Sequence, residues 1–160
     1  MGRRVFFSFH YKPDSWRASQ VRNIGKVEGN SPASDNDWET ITKGGDAAIK
    51  KWIDEQMKGR SCVVVLVGEN TAGRKWINYE IKKAWGSGKG LVGIHVNKLK
   101  NSRGLTAAKG RNPFAEFTVD GKRMDQLVKC HTPTGTTSTA AFEAISNNLK
   151  AWIEDAVNSR

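Results

Sequence analysis

The chain has 160 residues, 38% of them hydrophobic and 26% charged, which is enough to bury a real core and reads as a single domain over residues 1–160. No apolar run approaches membrane-spanning length, and Met1 to Arg4 lead into a strand-like run without a signal-peptide pattern, so a cytoplasmic protein is expected. The net charge of +10 favours anionic partners, and two cysteines without metal-ligand spacing read as free thiols in a reducing compartment.

In chain order, Val5 to Phe9 form a first strand, nearly all apolar, with Ser8 its one polar residue and His10 and Tyr11 at its carboxyl end. Pro13, Asp14 and Ser15 punctuate, with Asp14 or Ser15 as an N-cap. Trp16, Val21 and Ile24 mark one face of a helix ending near Val27. Residues 28–45 are a long polar loop, with a short strand around Trp38 to Ile41; loops of that length are often functional. Ala48, Ile49, Trp52, Ile53 and Met57 give a second amphipathic helix, closed by Gly59.

Cys62 to Val67 is uninterrupted and apolar, as in a strand buried on both faces of a parallel sheet. Residues 68–73 turn the chain, with Asn70 and Thr71 as caps. The next helix, Arg74 to Trp85, buries a stripe of Ile77, Ile81, Ala84 and Trp85, which leaves Trp76 and Glu80, four apart, on a second face. Leu91 to Val96 is a further buried strand. Asp120-Gly121 between strand-like runs 114–119 and 122–128 predicts a type I′ hairpin. Phe142, Ile145, Leu149, Trp152, Ile153 and Ala156 define a terminal helix capped by Ser138 or Thr139. This alternation predicts a three-layer α/β fold with a mainly parallel central sheet, in which the three apolar strands are adjacent.

Few motifs carry chemistry. Gly68 to Lys75 follows a strand and opens a helix, but a phosphate-binding loop needs Lys directly after its second Gly and then Ser or Thr; Arg74, Lys75 and Trp76 stand there. A receiver domain needs clustered carboxylates after the first strand, where this chain has Ser8 and His10. The three histidines show no metal spacing; His95 reads as a core residue, and His10 suits a pocket at the sheet's carboxyl edge. No nucleophile has an identifiable His-plus-acid pair. Between Ile81 and Ala115 there are eight Lys or Arg and no carboxylate, but without a nucleic-acid motif this reads as a solvated basic face. Glu80 has two readings. It is either a surface carboxylate pairing with Lys83 or a neighbour, or a site residue just beyond the carboxyl end of a central strand.

Three segments together resemble a known family. Arg4 to His10 (RVFFSFH) resembles the opening strand of TIR-like domains, and Trp76 to Glu80 (WINYE) their Trp-x-x-x-Glu segment. Gly90 to Val96 (GLVGIHV), trailing into Asn112-Pro113-Phe114, is similar to the branch closest to the sensor of the Thoeris antiphage system. The resemblance covers residues 3 to about 117. It departs at Ile77, where many TIR NAD hydrolases have Cys. It implies a flavodoxin-like fold and cleavage of NAD, as substrate and not cofactor, at the nicotinamide–ribose bond. It further implies cyclised ADP-ribose signals that reach a partner effector, and self-association. Nicotinamide leaves as a neutral base, so one carboxylate suffices where ordinary glycosidases use two, and no metal is required. Glu80 is then catalytic, with Phe6, Ser8, His10, Trp38 and Trp76 as substrate-binding candidates. The alternative is a non-catalytic TIR-like interaction module; a nucleic-acid sensor is a third reading, and no membrane contact is expected.

Overall fold

The structure is a computed structural model and describes residues 3–25, 27–29 and 40–160. Along the chain run β1 (Val5–Phe9), α1 (Tyr11–Arg22), α2 (Gly45–Met57), β2 (Cys62–Val67), α3 (Lys75–Gly86) and β3 (Gly90–His95). β4 (Thr118–Val119), β5 (Lys122–Arg123), β6 (Cys130–His131) and α4 (Ser138–Asn158) follow. All six residues of β2 are buried, because a strand with no polar side has no face to turn to water. It takes an inner place, pairing in parallel with β1 on one side and β3 on the other. β3 pairs in parallel with β6, so the order is β1-β2-β3-β6. The expected adjacency of the three apolar strands holds. Among the described residues β1 has only β2 as a strand partner, with one further parallel bridge from Arg4 to Glu28.

Strand alternation sorts the core into two halves. Val5, Phe7, Cys62, Val64, Leu66, Val92 and Ile94 face α1 and α4, meeting Ala18, Val21, Ile145, Leu149 and Ile153. Phe6, Val63, Val65, Val67 and Leu91 face α2 and α3, meeting Ile49, Ile53, Met57, Ile77 and Ile81. Helices on both faces of a parallel sheet make the three-layer, flavodoxin-like α/β architecture. Among the described residues no helix is long and apolar enough to cross a membrane.

Several local expectations are corrected. α1 begins at Tyr11, so Pro13 lies in its first turn, where backbone N–H groups lack helical partners anyway. Asp14 and Ser15 are therefore not caps. Trp16 is 56% exposed, while Asp14 and Arg17 turn inward with Ala18 and Val21. The two charges can be buried because Arg17 is saturated. It donates to Asp14 Oδ1 at 2.9 Å, to the Leu99 carbonyl at 2.7 Å and to the Leu105 carbonyl at 2.9 Å. This ties α1 to the loop after β3. Residues 40–43 are helical, so Ile41 is not in a strand; Trp38 lies outside the described residues. The hairpin forms, with φ of 50° at Asp120 and 79° at Gly121 as a type I′ turn requires, but each strand is only two residues long. Thr137, one residue earlier than expected, caps α4 by accepting from the Ala140 N–H at 3.1 Å.

Candidate active site

The turn between β2 and α3 is built by close approach. A Cβ on Gly68 would stand 2.0 Å from Asp14 Oδ2, and one on Gly110 would stand 2.1 Å from the Gly68 carbonyl oxygen, so only glycine fits at either place. Thr71, expected as a helix cap, is instead buried in the loop, where its hydroxyl accepts from the Gly68 N–H at 2.8 Å. Gly73 then turns at positive φ, and α3 starts at Lys75 with Arg74 at its N-cap. The helix is thereby aimed so that its first turns border a cavity of about 850 Å³ beside the carboxyl end of β1.

Glu80 lies on the wall of that cavity and is only 7% exposed. It belongs to the buried face of α3 with Ile77, Ile81 and Ala84, not to a second, solvated face. The surface-pair reading is therefore overturned: Lys83 lies 3.9 Å from Asp54 instead. Ser8 Oγ donates to Glu80 Oε1 at 2.8 Å, across 72 residues of sequence. Burial pushes the Glu80 carboxyl up to about 8, and the Ser8 hydrogen bond, which favours the charged form, offsets only part of this. The carboxyl is therefore mostly protonated at neutral pH, and a nearby positive charge would favour its ionisation.

The other candidates separate by position. Phe6, His10 and Trp76 line the same cavity as Glu80. Phe6 is buried on the α2/α3 side of β1, and Trp76 packs edge-on against Tyr79 at 5.8 Å. The Tyr79 hydroxyl donates to Asp54 at 2.8 Å, which fixes α3 against α2. His10 Nδ1 is buried and has no hydrogen-bond partner among the described residues, and burial, assisted by Arg74, lowers its pKa. Ser8 is 1% exposed and does not reach the cavity wall; it acts on Glu80. His95 is buried off the cavity, as a core histidine should be, with its pKa lowered to about 4 by burial.

The sequence reading missed Tyr11, Arg22, Trp52, Ile53 and Arg111, which also line the cavity. Trp52 and Ile53 were legible only as helix-face residues, and nothing local marks Arg22 or Arg111. The basic stretch is partly used internally. Lys89 donates to the Arg60 carbonyl at 2.7 Å, Lys98 to the Gly135 carbonyl at 2.6 Å, and Arg111 pairs with Glu116 at 2.8 Å.

Comparison with known proteins places the chain in a family. Residues 6–101 match the family described as Thoeris protein ThsB, TIR-like domain. A Bacillus cereus (strain MSX-D12) protein named "Putative cyclic ADP-D-ribose synthase ThsB1" is 36% identical over 133 residues, covering 78% of this chain and 69% of that relative. The matched segment holds β1 from Phe6 onward, β2, α3 and β3, and with them Ser8 and Glu80. The chain belongs to the Thoeris ThsB family of TIR-like proteins.

Proposed function

We propose that this chain cleaves NAD at the nicotinamide–ribose bond in antiphage defence, and that a nucleophilic atom of the same ADP-ribosyl group, instead of water, bonds to the anomeric carbon as nicotinamide leaves and then loses its proton, giving a cyclic signal. The observation that carries the reading is Glu80: a carboxyl group in a large cavity, sheltered from water and bonded to one hydroxyl. The relative's name, a cyclic ADP-D-ribose synthase, supports the product class.

The chemistry suits a single carboxylate. As the glycosidic bond lengthens, positive charge moves from the pyridinium ring to the ribose, and nicotinamide departs neutral without a general acid. A carboxylate in a low-dielectric site stabilises that ribose charge far more than it could in water. The bound pyridinium is also the positive charge that favours ionisation of Glu80, so substrate converts the neutral acid into its working form. Ser8 assists by hydrogen-bonding the charged oxygen. Phe6 and Trp76 give the cavity aromatic surface for the nicotinamide and ribose, and His10 supplies a hydrogen-bonding edge. The signal would act on a separate effector, and TIR-like copies would associate with one another when triggered.

The test is product analysis in cells carrying the chain under phage attack, comparing the parent with Glu80→Gln. Free nicotinamide and a cyclic ADP-ribose isomer should accumulate with the parent only. Unchanged NAD in the parent under those conditions would refute the reading.

A further inference from the structure

Arg22 is a cavity residue that the chemistry at Glu80 leaves unused. It stands in the last turn of α1, with its guanidinium carbon 6.0 Å from the centre of the Phe7 ring and 5.4 Å from that of Phe9. Its Nε is buried, and among the described residues it has no hydrogen-bond partner and no carboxylate pairs with it. The other cavity cations differ. Lys75 pairs with Asp46 and Arg111 with Glu116, while Lys12 and Arg74 are exposed to water. A solvated cation needs no partner, but a half-buried guanidinium loses hydration that something must replace. The two aromatic faces replace part of it. They leave unused the in-plane fork of N–H donors, whose geometry matches phosphate oxygens.

The charge of the described cavity wall agrees. Among the described residues it carries five Lys or Arg against Glu69 and Glu80, and burial favours the neutral form of Glu80. Phe9 and Tyr11, stacked at 5.9 Å, border the same space and offer a flat apolar surface. We propose that Arg22 is the phosphate-recognising residue of this cavity, and that the ligand class is a dinucleotide or nucleoside diphosphate whose phosphate oxygens accept from its guanidinium. The assignment rests on the NAD reading only for which molecule carries the phosphates.

Calorimetric titration of the full chain with ADP-ribose, inorganic pyrophosphate and nicotinamide riboside tests it, using the parent, Arg22→Met and Arg22→Lys. Methionine keeps an unbranched stem over the Phe rings; lysine keeps the charge but loses the fork. Losing a charge-assisted hydrogen bond should weaken both phosphate ligands roughly 10- to 100-fold in Arg22→Met. Arg22→Lys should fall between, and nicotinamide riboside, which has no phosphate, should bind all three proteins equally. Pyrophosphate binding that depends on Arg22, in a protein that leaves NAD intact in cells, would uphold the anion site and end the NAD reading. A parent that binds neither phosphate ligand would overturn the proposal. So would parent-like affinities in Arg22→Met with a lowered melting temperature, which would make Arg22 a staple between α1 and β1. A matching loss for nicotinamide riboside would mean a distorted cavity and count equally against it. Should Arg22→Met not fold, parent-like pyrophosphate affinity in Arg22→Lys would overturn the assignment.

Discussion

Glu80→Gln probes the buried acid through stability as well as catalysis. In the folded chain the carboxyl is pushed up to about 8, while an unfolded chain restores an ordinary value near ~4.3. Between those pH values the folded state holds a proton that the unfolded state has lost. Stability must therefore fall as pH rises through that window, by about 1.4 kcal/mol per pH unit, and level off above about pH 8. Glutamine resembles the protonated acid, with one oxygen to accept from Ser8 and N–H groups in place of the acidic proton, but it cannot ionise. Between pH 5 and 7 the variant should thus gain about 2–3 kcal/mol on the parent, roughly 5–10 °C in melting temperature for a chain of this size. Urea unfolding of both proteins at pH 5, 7 and 9 measures it, and other titrating groups cancel in the difference. NAD cleavage should fall ~100- to 1000-fold in the same variant. A parent–variant difference that stays constant with pH would show that Glu80 titrates as a solvated carboxylate and would refute the buried-acid reading.

The same acid shapes the pH–rate profile. kcat/KM should rise with pH to a plateau above about pH 8, since it reports the free protein's group, and Ser8→Ala should move the rise to higher pH by removing the hydrogen bond that favours the carboxylate. A flat parent profile between pH 6 and 9 would contradict this. Gly68→Ala places a methyl 2.0 Å from Asp14 Oδ2 and should cost at least ~1–3 kcal/mol in denaturant unfolding. Gly86→Ala, with open space around its Cβ and helical backbone, should be neutral or stabilising by up to ~1 kcal/mol; equal losses in both variants would defeat the steric argument. Arg17→Met leaves Asp14 buried without its cation and should cost about 3–5 kcal/mol, recovered in part by adding Asp14→Asn. Additive losses in that double variant would show that the two residues do not act as a pair.

Local pattern alone determined a good deal. The apolar runs of β1, β2 and β3 specified buried parallel strands, because a strand without a polar side has only the inside of a sheet to occupy. The Asp120-Gly121 dipeptide specified its turn through backbone sterics, and the four-residue step from Trp76 to Glu80 put the two on successive turns of one helix. Tertiary structure decided the rest. α1 could not be oriented from Trp16, Val21 and Ile24, because its inward charge becomes tolerable only when Arg17 meets carbonyls more than 80 residues away. β6 is two residues long, too short to carry any periodicity. Glu80 was legible as a candidate but not as a buried acid, since four-residue spacing says which residues share a helix face and nothing of what covers that face. Its hidden state depends on Ser8 and the packing of α3 on the sheet, and Arg22 joins the same wall only because α1 returns along β1. Periodicity is a property of neighbours in the chain, whereas desolvation, and with it the chemistry of a carboxyl or a guanidinium, belongs to neighbours in space.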